Sequence, residues 1–297
     1  MISAPRTLNP KAAEAVRFLV DVLDGYFQTE YYGLENIPLG EKFVWTHNHS
    51  GWPSLDGLVI AKKISEENER HNGTSECGLG FWHDMVASAP LLKNVIENMG
   101  CLSIKEIDQY PFWDEHNIFI TPAEGEEGNF KSSFSSLYKL APFKTGIGRI
   151  ACKGNVKYLL PVSIYGPEES FPVMTSIKIP ISKISKASFK SKPMELFRKN
   201  FARVFKGDLT IPVLFPIQAI PIKWKVQFHP PINISRLVKN QQKGEFDKAT
   251  YKKISAKAEK VIAADIESES QKRENFHVIM PKVSKEAVSK IISLMAS

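Results

Sequence analysis

Apolar positions along this chain recur alternately at helical and at strand spacing. Val16, Leu19, Val20, Leu23, Tyr26 and Phe27 fall on one broad face behind Pro10, so residues 10–28 are expected to form an amphipathic helix closing near Gly25. After a turn at Gly40, Phe43 to Thr46 reads as a short apolar strand that runs into THNHSGWPSLDG. Pro53, tolerated in a first helical turn, then opens a helix from Ser54 to about Ser65. The polar stretch Glu66 to Glu76 reads as a surface loop. It is followed by a strand near Gly78 to Trp82 and a helix near Leu91 to Met99 stopped by Gly100. NIFIT (117–121) reads as a strand ending at PAEGEEG, Ile147 to Lys153 as a helical stretch, and YLLPVSIY (158–165) as a further strand. This alternation predicts an α/β layered domain with a largely parallel central sheet flanked by helices, its reactive residues lying where strands hand over to helices or loops. N-terminal and C-terminal helices are added to it. The expected organisation is an N-terminal helix (1–30), the α/β domain (31–234) and a helical tail (235–297) packed on the domain or a membrane.

Charge is uneven along the chain. The net +7 hides nine basic residues against Glu195 alone between 178 and 206, interleaved with Phe197, Phe201, Val204 and Phe205 at helical steps. Such a helix suits an anionic membrane surface, where each cation near the headgroups adds about 1 kcal/mol; its plain alternative is a core helix with a solvated basic face. LTIPVLFPIQAIPIKW (209–224) follows, almost wholly apolar and broken by Pro212, Pro216 and Pro221. It is expected as an extended buried segment or a loop dipping into the lipid interface. Residues 178–224 are therefore the expected membrane contact. No zinc finger, RNP motif or basic zipper is present, so nucleic acid is not an expected partner.

With 297 residues, 43% hydrophobic and 24% charged, the chain has the composition of an ordinary globular protein and can bury a substantial core. Cys77, Cys101 and Cys152 lie too far apart for a disulfide framework or a CxxC zinc site, and a reducing compartment follows. No signal peptide or spanning window is read, so a cytoplasmic, peripherally membrane-associated protein is expected.

The candidate chemistry centres on His49 and Asp56, seven residues apart across the strand-to-helix junction. A continuous helix would hold them about 10 Å apart along its axis, at ~1.5 Å per residue. Gly51 and Pro53 argue instead for a bent loop that folds His49 over the helix start, where Asp56 accepts from one imidazole nitrogen and leaves the other to take a proton from a substrate hydroxyl.

These blocks, in order, resemble the glycerolipid acyltransferases typified by 1-acylglycerol-3-phosphate O-acyltransferase. The similarity runs from YYGLENIP (31–38) and FVWT through NHSGWPSLDG, MGCLSIKE (99–106), TPAEGEEGNFK (121–131), YKLAPF (138–143), GIGRIACKGNV (146–156) and LPVSIYGPEE (160–169) to KWKVQFHPPI, about residues 31–230. The seven-residue spacing departs from the family's NHxxxxD and is similar to a branch with NHSGxxPxD spacing. What the resemblance implies is transfer of a fatty acyl group from acyl-CoA or acyl carrier protein, as co-substrate and without a further cofactor, to a hydroxyl of a lysophospholipid or glycerol phosphate. His49 would be the general base and Asp56 would fix its tautomer. Glu124 and Gly125 match the family's substrate-binding EG; Glu124 would orient a hydroxyl or a neighbouring cation, and Gly125 with Gly128 would let backbone amides approach the acceptor. Lys131, Lys139 and Arg149 would be nearby cations for a phosphate. The family's second block ends in Arg where this chain has Glu106, with Lys105 one step short, and its FPEG reads TPAEG; an acceptor hydroxyl without phosphate stays open.

Two other readings compete. A lipid-binding protein on the same fold would keep the blocks without turnover. A metal-dependent hydrolase would use His47 and His49 as an HxH pair with distant His83 and Asp84, but the HxHxDH extension fails at Gly51 and Trp52, so no metal is expected and His47 reads as a structural hydrogen-bonder. No GxSxG elbow for a serine hydrolase occurs.

Overall fold

The computed structural model describes residues 9–49, 55–82, 100–180, 208–214, 219–238 and 247–282. Its centre is a mixed, mostly parallel sheet. Strand β1 (Glu30–Tyr32) pairs parallel to Lys225–Phe228, and β2 (Phe43–His47) lies parallel between Tyr158–Tyr165 and Ile118–Ile120. Beyond the latter come β3 (Leu79–Trp82) and β4 (Cys101–Ser103), also parallel. Numbering onward, β5 is Ile118–Ile120, β6 Tyr158–Tyr165, β7 Val173–Pro180, β8 Asp208–Leu214, β9 Lys225–Phe228 and β10 Ile232–Asn233. The sheet order is β1-β9-β6-β2-β5-β3-β4; β9 and β10 run antiparallel to β6, and β7 with β8 forms a separate hairpin.

Strand pleating sends alternate side chains to two cores. Phe43 and Trp45 of β2 join Ile118, Leu160 and Val162 against helices α1 (Pro10–Phe27) and α2 (Asp56–Asn72), which contribute Val20, Phe27, Val59, Ile60 and Ile64. Val44, Phe119 and Leu159 face the other way, toward the short helix Gly146–Lys153 and the long helix Lys248–Ser270 with Ile150, Ile254, Ala258 and Ile262. With Glu126–Asn129 as α3 and Pro167–Ser170 as α5, those two are α4 and α6. Each large apolar side chain buried this way contributes roughly 1.5–3 kcal/mol, so both faces of the sheet must be covered. The expected α/β layering with helices at both ends of the chain is the observed one.

One expectation changes. The helix after the histidines does not stop near Ser65: α2 runs to Asn72, where Gly73 closes it at φ 69. The polar run Glu66 to Asn72 forms its last turns, with Glu67 and Asn68 buried and Glu69 to Asn72 exposed, laced by Lys62–Glu66 (2.8 Å) and Arg70–Glu67 (2.7 Å) pairs. From Leu209 the next segment, expected as a buried extended stretch or a lipid-facing loop, begins as β8, hydrogen-bonded to β7. The expected helix at 91–99, the basic stretch from 181 to 207, His83, Asp84 and the side chain of Lys105 lie outside the described residues. Among the described residues, no helix is long and apolar enough to cross a membrane.

Candidate active site

Because a strand repeats every two residues, Trp45 and His47 share the face of β2 that α2 covers; His49 follows just past the strand end, and the first residue of α2 is Asp56. The junction brings all three together. The Asp56 Oδ2 atom stands 3.7 Å from His49 Nδ1 and 3.6 Å from His47 Nε2, while its Oδ1 accepts from the Gly57 amide at 2.9 Å. The two rings are 5.7 Å apart and near-perpendicular. Both separations exceed hydrogen-bond length, and His49 Nδ1 and both nitrogens of His47 have no hydrogen-bond partner.

Burial dominates the electrostatics. It pushes the His49 pKa below 6.5 against the opposing pull of Asp56, so the imidazole is neutral at physiological pH. For Asp56, burial alone would raise the pKa; the two imidazoles outweigh it and hold the carboxyl well below its usual range. Asp56 also sits in the first turn of α2, where the helix dipole favours a negative charge. A fixed carboxylate facing Nδ1 selects the tautomer that leaves Nε2 to accept a proton.

The loop after β5 holds the histidine segment from the other side. Thr46 Oγ1 donates to the Thr121 carbonyl (2.7 Å) and the Ala123 amide to the His47 carbonyl (3.2 Å). Asn48 clamps β2 to β6 by giving its amide to the Ile164 carbonyl (3.0 Å) and accepting the Ile164 N–H (2.9 Å). Glu124, expected to orient a hydroxyl or a neighbouring cation, has the Lys131 ammonium 4.0 Å away and also accepts the main-chain N–H of His49 on Oε1 (3.0 Å) and that of Ala141 on Oε2 (2.6 Å). Its burial raises the pKa to about 7 despite Lys131 at 4.0 Å. A Cβ on Gly128 would lie 2.7 Å from His49 Cβ and 2.8 Å from Glu124 Cβ, so this glycine serves close packing behind His49. Gly125 takes φ 64, which glycine adopts without strain.

The expected cations separate. Lys131 lies beside Glu124, pairs with Glu168 at 2.6 Å and donates to the Lys139 carbonyl at 2.8 Å; its charge is felt at His49. The Lys139 ammonium turns to the Ser135 carbonyl (3.3 Å). Arg149 on α4 is not brought to the pair: it is ion-paired with Asp108, which also meets Lys153 at 3.1 Å.

Sequence reasoning missed the buried chain behind Lys131. Glu168 accepts the Tyr138 N–H (2.9 Å), the Tyr138 hydroxyl donates to Glu169, and Glu169 receives Arg273 Nε (2.8 Å) and the Phe276 N–H. Glu168 and Glu169 close the LPVSIYGPEE block; their signal was two adjacent acids directly after an apolar strand.

No family model matches the chain. Curated relatives include an uncharacterized protein of Mycobacterium tuberculosis, 24% identical over 209 residues (70% of this chain, 52% of that protein). Another, from Mycobacterium leprae, is 26% identical over 223 residues (72% and 53%). The chain thus spans about half the length of the curated relatives it matches. Among solved structures, the 1-acyl-sn-glycerophosphate acyltransferase PlsC from Thermotoga maritima superposes with a TM-score of 0.50 at 16% identity, covering 88% of this chain and 80% of that one. With its mostly parallel sheet between two helical layers, this chain has the fold of the PlsC acyltransferase.

Proposed function

We propose that the protein is an O-acyltransferase moving a fatty acyl group from a thioester, acyl-CoA or acyl carrier protein, to a hydroxyl of a lysophospholipid or glycerol phosphate. The observation that carries this reading is the His49 imidazole, kept neutral by burial with Nδ1 toward an ionised Asp56. In the reaction, Nε2 takes the proton of the acceptor hydroxyl and the oxygen attacks the thioester carbonyl carbon. The tetrahedral adduct then expels the thiolate, which recovers that proton from the imidazolium. Asp56 stabilises the transient imidazolium; no acyl-enzyme is required. Glu124 fixes the base by its backbone, and Lys131, whose charge acts on His49, is the cation proposed to receive an anionic acceptor. The route to substrate is a membrane surface, approached through the basic stretch after β7.

The test is to incubate purified protein with labelled acyl-CoA and a panel of lysolipids and glycerol phosphate, identifying products by mass, and to float it with anionic vesicles. Ester products should form, and His49→Ala or Asp56→Asn should lower turnover about 10²-fold or more with folding intact. Normal turnover in His49→Ala refutes the assignment. Lysolipid binding without product, indifferent to His49→Ala, points to the non-catalytic reading.

A further inference from the structure

We propose that His47, His49 and Asp56 form a binding site for one first-row divalent transition-metal ion, with zinc as its simplest occupant, and that occupation switches the general base off. The site half stands on geometry alone; the inhibition half rests on the acyltransferase reading above.

Three potential ligand atoms, one from each residue, lie within 4.8 Å of one another, and all three residues are buried. The arrangement is poorly explained by hydrogen bonding, since His47, 1% exposed, has no partner at either ring nitrogen and His49 has none at Nδ1. Leaving such nitrogens desolvated and unpaired costs free energy that a ligand can recover. The spacing suits an ion better than a proton. In a tetrahedral site with bonds of about 2.0–2.1 Å, neighbouring ligand atoms stand roughly 3.3 Å apart. The two imidazole-to-carboxylate separations here are 3.6 and 3.7 Å, a few tenths wider, and both end on the same oxygen, Asp56 Oδ2. The imidazole nitrogens themselves lie within 4.8 Å of each other, and binding would draw the two rings in around an ion held on Asp56 Oδ2.

The donor set narrows the ion. Two imidazole nitrogens and one carboxylate oxygen suit zinc, cobalt, nickel or copper; magnesium and calcium prefer an all-oxygen shell. Three protein ligands leave a fourth position for water. Local backbone structure holds the set in place: Glu124 fixes the His49 amide, the Ala123 amide holds the His47 carbonyl, and Asp56 is rooted in the first turn of α2. Once ligated, the carboxylate no longer selects the tautomer of His49. The ring is pinned to the metal and carries extra positive charge beside its other nitrogen, so it is a poor proton acceptor.

The experiment uses the full chain stripped with a chelator. Cobalt(II) titration should give one ion per chain with the intense visible absorption of low-coordinate cobalt, bleached by one equivalent of zinc. Calorimetry with zinc alone gives the affinity. His47→Gln should weaken that affinity roughly tenfold or more, at least the loss seen when only an outer-shell partner of a metal site is removed. Asp56→Asn serves as the second variant, and circular dichroism confirms that each folds. In the activity assay, zinc should inhibit the wild-type chain and a chelator should restore it. Sub-stoichiometric binding, or an affinity unchanged in both folded variants, overturns the site. One-to-one binding with undiminished acyl transfer, or acyl transfer that requires zinc, overturns the inhibitory role. A chain that binds zinc but transfers no acyl group under any condition fails the functional reading while the site stands.

Discussion

His49 is poised by two opposed forces whose winner can be measured. Burial favours the neutral ring and Asp56 favours the charged one, and the net shift is downward from 6.5. The proton-accepting form therefore persists below that value, and kcat/KM should fall on the acid side with a midpoint below pH 6.5. A midpoint above it means that the carboxylate has won and the base is held charged. Glu124 shifts oppositely, up to about 7 from 4.5. Between those values the unfolded chain gives up the proton and the folded chain keeps it, so this residue makes stability fall as pH rises from 4.5 to 7 and adds no further slope above. Denaturant unfolding of Glu124→Gln across that range should show a flatter profile than wild type; parallel profiles dismiss the shifted carboxyl. The pair His49 and Asp56 was legible in the sequence because Gly51 and Pro53 signal a bend between them. His47 was read as a structural hydrogen-bonder, because a two-residue step shows a shared face but not which carboxylate lies opposite. Glu124 was legible as a site residue and not as a clamp, since its partners are main-chain amides and any residue type supplies those.

At the scale of elements, strands were read closely because β6 must fill both faces: YLLPVSIY is the observed strand, residue for residue. The end of α2 was read short. Its last turns bury little apolar surface and persist through charge pairs on one flank, with Gly73 accepting the left-handed turn that follows. A Cβ there would meet nothing within 4 Å, so strain at φ 69 is the whole effect of Gly73→Ala. That substitution should cost about 1 kcal/mol in denaturant unfolding with acyl transfer unaltered; a neutral result means the cap is not holding the helix.

Over the whole molecule, coverage of both sheet faces places chain segments far apart in sequence on either side of the site. The segment after α6 is fastened by Arg273 to Glu169, by the Ile279 amide to the Pro221 carbonyl (2.8 Å) and by the Lys282 amide to the Gly25 carbonyl (3.0 Å). None of this was legible, because an ion pair spanning 104 residues leaves no local pattern. Arg273→Met strands the fully buried Glu169 carboxylate and should destabilise the fold by about 3–5 kcal/mol, read as a lower denaturant midpoint. An unshifted midpoint dissociates that pair from stability.

The same fastening makes the histidine's surroundings answerable to an event that touches none of its neighbours. From Arg273 a buried succession of Glu169, Tyr138, Glu168, Lys131 and Glu124 reaches the His49 backbone. A protease cutting once after Lys272 would part Arg273, the far anchor of that succession, from α6, and turnover should decay in step with the cleavage although every reacting group stayed intact.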